Sequence, residues 1–288
     1  MYIEKKRFKF NDVLKWKPDG IRDKQTLDWY SSDSKTNFEG RIKTKFKSAY
    51  SYYKENPITY NFNNEGYRTP DDFETGDEGI VYLGCSHTAG VGTELNSTWV
   101  SKVHEEFDSK CFNLGIPAAS AGTCFRILSY WKEFLNIKKV FHYSLLAPRY
   151  EFIYDTKNPR RNWDYFGAYL DDLTENNKEF PYDNFIMNSF LTNEYRIIDQ
   201  IKNFRAINDI CNSLDIKYHL VTEPMLEKWT DDTRDIIDHY INENKLTFVD
   251  ARDRFHYDTK THYILGEYFK KLNQDNESTK IDFNICGL

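Results

Sequence analysis

The sequence predicts an α/β domain built on a five-stranded parallel sheet with helices on both faces. Two observations carry that expectation. From residue 79 onward, short apolar runs rich in β-branched and aromatic residues alternate with runs whose apolar residues recur at three and four. The short runs are continuously apolar, as in strands covered on both faces, and their alternation with helices implies a parallel sheet.

The strand candidates are 80–83 (IVYL), 110–114 (KCFNL), 139–146 (KVFHYSLL), 216–222 (IKYHLVT) and 246–250 (LTFVD). Helical spacing follows the first at Trp99, Val100, Val103 and Phe107, and the second at Ile127, Leu128, Trp131, Phe134 and Leu135. The longest helical pattern, 190–214, carries Ile197, Ile198, Ile201, Phe204, Ile207, Cys211 and Leu214 on one stripe. Ile236, Ile237, Tyr240 and Ile241 mark the next helix, and Ile264, Leu265, Tyr268, Phe269 and Leu272 the last. Two regions break this rhythm. Residues 1–78 are polar and aromatic with weak periodicity, and read as an N-terminal extension folded on the main domain, 79–288. Residues 149–188 form a long insertion after the third strand; loops of that length are uncommon unless functional or partly structured. Its Tyr150, Tyr154, Trp163, Tyr165, Phe166 and Tyr169 make either a small peripheral core or a wall whose rings stack on sugars.

Composition narrows the function classes. With 288 residues, 40% hydrophobic, 29% charged and a net charge of −6, the chain gives no support to nucleic-acid binding, which usually needs a basic face. The locally basic opening, MYIEKKRFKF, reads as a solvated arm. No apolar run is long enough to span a bilayer and no secretory h-region opens the chain, so a cytoplasmic protein without membrane partners is expected. Five scattered cysteines (85, 111, 124, 211, 286) suit reduced thiols, not disulfides or zinc. The seven histidines show no metal-ligand grouping, and AGVG lacks a phosphate-binding pattern, so neither metal nor nucleotide is expected.

The chemistry gathers at strand ends, where parallel sheets bind ligands. After the first strand stand Gly84, Cys85, Ser86, His87 and Thr88; after the second, Asn113, Leu114 and Gly115; after the fifth, Asp253 and His256 within ARDRFHYDTKTH. A serine hydroxyl is a weak nucleophile until a base takes its proton, and a carboxylate can orient that base. Asp-x-x-His puts a carboxylate within reach of its own imidazole. Asp250 competes with Asp253 as orienting acid, and Cys85 is an alternative nucleophile. His87 reads as site lining, and His262 as a solvent-facing or capping residue.

Ser86 in a G-x-S loop, Gly115 in an N-x-G turn and a C-terminal D-x-x-H together resemble the SGNH (GDSL-type) hydrolases, across residues 79–275. The upstream YNFNNEGYRTP is similar to the N-x-x-G-[FY]-R segment of some sugar-modifying members. The resemblance implies a flavodoxin-like three-layer fold and a serine esterase removing an acyl group, acetyl foremost, from a carbohydrate or related small ester, without a cofactor. It implies Ser86 as nucleophile, His256 as base, Asp253 as orienting acid, and the Ser86 and Gly115 amides as the oxyanion hole. Two blocks depart from the pattern: Gly-Cys-Ser replaces Gly-Asp-Ser, and SLLAPRYEF at 144–152 stands where an oxyanion-hole asparagine is expected. Arg149, Asn113 and His87 are the candidates for contacting substrate or oxyanion; Arg149 is the candidate substitute for the asparagine. An acyltransferase using the same residues, and a non-catalytic glycan-binding or assembly domain, are the alternatives.

Overall fold

The computed structural model describes residues 23–40, 47–145, 149–153, 163–166, 193–253, 255–275, 277–282 and 285. The N-terminal extension contributes β1 (Thr26–Leu27), α1 (Lys35–Gly40), α2 (Lys47–Glu55) and β2 (Tyr60–Asn61). The main unit continues with β3 (Glu78–Gly84), α3 (Ser86–Ala89), α4 (Trp99–His104), β4 (Lys110–Asn113), α5 (Ala121–Trp131) and β5 (Asn136–Ser144). An antiparallel ribbon, β6 (Tyr150–Ile153) and β7 (Trp163–Phe166), precedes α6 (Asn193–Ser213), β8 (Lys217–Thr222), α7 (Glu223–Glu243) and α8 (Thr259–Asp275).

Four of these strands form one parallel sheet in the order β4-β3-β5-β8. Side chains alternate faces along a strand, so β3 feeds two cores. Val81 and Leu83 join Phe112, Val140 and Leu220 beneath α5 (Ile127, Leu128, Trp131) and α6 (Phe204, Ile207, Cys211). Ile80 and Tyr82 join Phe141, Tyr143 and Val221 beneath α4 (Trp99, Val100, Val103) and α8 (Leu265, Phe269). Sequence signals start both helices. Thr98 Oγ1 accepts from the Ser101 amide to cap α4, and a reciprocal Ser120–Thr123 capping box opens α5.

The fifth strand is corrected. Residues 246–250 adopt no strand, and the parallel sheet has four strands among the described residues. Both backbone groups of Val249 are taken by Thr259 at the start of α8: its N–H donates to Thr259 Oγ1 at 2.8 Å, and its carbonyl accepts from Thr259 N at 3.0 Å. The open edge of β8 is closed by the C-terminal segment. Tyr218 N donates to Ser278 Oγ (3.2 Å), Thr279 N to Tyr218 O (2.9 Å) and Leu220 N to Thr279 Oγ1 (2.9 Å).

The extension has its own aromatic core of Tyr30, Tyr53, Ile58, Tyr60 and Phe62, and this core packs on Ala89 and Val91, directly after Ser86. Among the described residues no helix is long and apolar enough to cross a membrane, and Cys85, Cys111, Cys124 and Cys211 are buried thiols outside any disulfide. The N-terminal arm, Cys286, Tyr154 and Tyr169, with most of the 149–188 insertion, lie outside the described residues.

Candidate active site

The end of β3 is shaped by one glycine. Gly84 has φ +150°, and a Cβ there would lie 2.1 Å from Thr88 Oγ1 and 2.6 Å from the Tyr143 carbonyl. The chain therefore turns tightly into α3, with Cys85 O accepting from the amides of Thr88 and Ala89 at 3.0 Å each. This turn leaves Ser86 at the first position of α3, where an N–H has no intrahelical acceptor. Among the described residues the Ser86 amide makes no hydrogen bond. Ser86 is buried, and its hydroxyl's polar neighbour is Cys85 Sγ at 4.0 Å.

The loop after α3 ties this turn to the last block of the chain. Val91 N donates to Ser86 O (3.0 Å), and Arg252 N donates to Gly92 O (2.6 Å). A Cβ on Gly92 would lie 2.8 Å from Asp253 Oδ1, so the loop runs against the carboxylate. Arg68, from the N-x-x-G-Y-R segment, braces the same loop. Its guanidinium donates to the carbonyls of Ala89 (3.2 Å), Gly90 and Thr93 (2.9 Å) and lies 4.3 Å over the Tyr60 ring. Asn63 folds that segment by accepting from the Glu65 and Tyr67 amides (3.0 and 2.8 Å).

Asp253 and His256 form a tight polar pair at the site. His256 Nδ1 lies 2.6 Å from Asp253 Oδ2, while Oδ1 accepts from the amides of Phe255 (3.1 Å) and His256 (3.2 Å). An ionised carboxylate can only accept, so Nδ1 carries the hydrogen, and in the neutral ring the lone pair is on Nε2. Burial works to raise the Asp253 carboxyl, but His256, Ser32 and the Phe255 amide outweigh it and hold the group below its ordinary value. Asp250 is not the partner. It lines a separate open depression with Tyr52, Phe248 and Lys260.

His256 lies over α3, its ring centroid 4.9 Å from that of His87. No hydrogen bond joins Ser86 Oγ to His256. His87 is buried with its ring 4.0 Å from Tyr257 and its Nδ1 3.5 Å from the Tyr257 amide. Burial, reinforced by His256, His262 and Arg149, holds it well below the usual histidine range, so it stays neutral and lines the site.

Gly115 and Asn113 carry other duties than those read from sequence alone, and His262 takes one of its two expected roles, that of a cap. The Gly115 amide, expected to face an oxyanion, donates to Asn113 Oδ1 at 3.0 Å. Asn113 itself is buried, and its Nδ2 donates to the carbonyls of Thr88 (3.0 Å) and Arg68 (3.2 Å). It braces the turn to α3. A Cβ on Gly115 would lie 2.5 Å from Ala89 N, which is why glycine stands there. His262 is fully buried; its Nδ1 accepts from the Trp99 amide at 3.3 Å, capping α4 instead of facing solvent, and burial lowers it to about 3.

Arg149 follows β5 and reaches back to the site. Its Nη1 is buried without a hydrogen-bond partner, and the side chain lines a cavity of about 10 Å³ with Gly84, Cys85, Ser120, His142 and Ser144. That is room for one water-sized group.

Sequence reasoning missed Ser32 and Asp33. Ser32 Oγ donates to Asp253 Oδ2 at 2.6 Å, and Asp33 pairs with Arg252 at 2.7 Å in full burial. Neither residue belongs to a spacing or motif that could have announced it.

No protein-family model matches the chain, and no curated protein matches it. Among solved structures it is similar to one described as a gut microbial diltiazem-metabolizing enzyme, at 16% identity and a TM-score of 0.36. The match covers 73% of this chain and 49% of that one, so the chain spans about half the length of that protein. A likeness of that degree carries no argument about this chain's chemistry.

Proposed function

We propose that the chain is a serine ester hydrolase on an SGNH-type, flavodoxin-like scaffold, acting on an acylated carbohydrate or related small ester. The observation that carries this reading is the Asp253–His256 pair, 2.6 Å apart and lying over the turn that bears Ser86. In the proposed reaction His256 Nε2 takes the Ser86 proton as Oγ attacks the acyl carbonyl. The developing oxyanion meets the uncommitted Ser86 amide and the Arg149 guanidinium. The imidazolium then returns the proton to the leaving alkoxide, and water, activated by the same base, releases the acid. Nucleophile–base contacts are often long in ligand-free sites and tighten with substrate bound. The Gly115 amide joins the oxyanion hole only by giving up Asn113. The sugar reading rests on the aromatic insertion and the Asn63–Arg68 segment; an acyltransferase would use the same steps with a sugar hydroxyl replacing water.

One observation favours a second reading, a non-catalytic binding domain: Ser86 Oγ lacks a hydrogen bond to His256. Intact-mass detection of a fluorophosphonate adduct separates the two, with Ser86→Ala as control. An adduct on wild type and none on the variant supports the hydrolase; an unlabelled wild type supports the binding domain.

Two further outcomes are expected. Arg149→Ala lowers kcat for an activated acetyl ester at least about tenfold, below the roughly 10²–10³ of a full oxyanion donor in a protease, while Ser86 still labels. An unchanged kcat removes Arg149 from the mechanism. The pH profile follows from the signs of the charges. Asp253 is held below its ordinary value and stays ionised from about pH 5 to 9, whereas His256 must be neutral to act. Hence kcat/KM rises with pH as the imidazole loses its proton, and a flat profile over that range counts against His256 as base.

A further inference from the structure

Ser32 sits in the N-terminal extension, 221 residues before Asp253, yet its Oγ lies 2.6 Å from Asp253 Oδ2 and 3.4 Å from His256 Nδ1. Two donors therefore converge on one carboxylate oxygen. The segment that delivers Ser32 is anchored at Ser32 itself and at the next residue. Asn37 Nδ2 donates to Ser32 O at 2.7 Å, and the next residue, Asp33, is held by Arg252 and by Tyr60 Oη at 2.5 Å. We propose that Ser32 is a positioning residue of the site, whose hydroxyl fixes the Asp253 carboxylate and tempers its pull on His256. The assignment rests on the reading of Asp253 and His256 as the acid–base pair.

A hydroxyl bonded to a carboxylate disperses its charge and makes it a weaker acceptor for the imidazolium. Removing that hydroxyl concentrates the charge on the His256 contact and favours the protonated ring. The other groups facing His256 do not supply a competing charge. His87 from α3 and His262 from α8 are kept neutral by burial, and burial likewise keeps the Tyr257 hydroxyl protonated. The nearby Arg252 guanidinium is matched by Asp33, and the Arg149 side chain, which lines the cavity beside Cys85, carries the same charge in wild type and in both Ser32 variants.

The test is a ring ¹⁵N–¹H NMR titration of His256 in the full chain, assigned with His256→Gln. Ser32→Ala is expected to raise the His256 midpoint by about half a pH unit, the size of a modest hydrogen bond. Ser32→Thr, which keeps the hydroxyl, is expected to return it to the wild-type position. An unmoved or lowered midpoint in Ser32→Ala overturns the assignment, as does an equal rise in both variants. Because the titration needs no turnover, it separates the two proposals. Absent fluorophosphonate labelling of wild type with a shifted Ser32→Ala midpoint sinks the esterase reading and leaves Ser32 in its role.

Discussion

Ser86→Ala is expected to lower the turnover of an activated acetyl ester by about 10³-fold or more, and His256→Ala to match it. The size follows from what each group supplies. Without Oγ no acyl-enzyme forms, and without Nε2 the hydroxyl must lose its proton to water. What survives in either variant is binding and the oxyanion donors, the Ser86 amide and Arg149. Members of one catalytic unit fail together, so the Ser86→Ala/His256→Ala double variant is expected to be no slower than either single one. Asp253→Asn leaves a hydrogen-bonding group in place but can hold the wrong imidazole tautomer, so it should also fall steeply. Initial rates on an activated acetyl ester, with circular dichroism confirming the fold, read all four. A wild-type rate in Ser86→Ala or His256→Ala discards the triad.

The parts of this site visible in the sequence are those encoded by short-range spacing. Asp253 and His256 are three residues apart, so one turn brings them together, and Gly84-Cys85-Ser86 follows a strand whose run is unmistakable. The four sheet strands were legible for the same reason: each is a continuous apolar run that only a doubly covered strand can bury. The fifth run has that composition too, and still does not pair. Apolar composition reports burial, whereas pairing requires a free edge, and Ser278 and Thr279 already occupy the edge of β8. The stripe at 236–241 marks a helix, as expected, and Ile237 packs on the core, but Ile236 and Tyr240 remain exposed while the same helix seats Leu226 and stacks Trp229 on Tyr268. Ser32 was illegible because its partner lies 221 residues away and one serine has no periodicity. The partner of the Gly115 amide was hidden for a subtler reason. A turn glycine's N–H is free only if no neighbouring side chain accepts it, and Asn113, two residues earlier, does.

Asp33→Ala is expected to be the most destabilising single change in the extension. Both partners of the Asp33–Arg252 pair are almost fully buried, with 0% and 3% side-chain exposure. Asp33 accepts from Arg252 Nε through both oxygens, at 2.9 and 2.8 Å, and from Tyr60 Oη at 2.5 Å. Arg252 also lies 4.1 Å over the Trp29 ring and donates to the carbonyls of Asp28 and Ile58. Removing the carboxylate leaves a guanidinium buried without its counter-charge, which typically costs about 3–5 kcal/mol. A domain of ordinary stability holds only about 5–15 kcal/mol in total. A urea midpoint measurement reads the loss. The exposed Lys35–Glu39 pair is the comparison, and its removal should change stability by about 0.5 kcal/mol or less. The mechanism makes a second demand. If the loss comes from the stranded charge and not from missing contacts, Asp33→Leu with Arg252→Met should recover much of it, because apolar replacements of a buried pair are often neutral. The recovery will be incomplete, since the carbonyls of Asp28 and Ile58 lose their donor. A double variant as unstable as Asp33→Ala would instead make those carbonyl contacts the main contribution of Arg252, and the ion pair secondary.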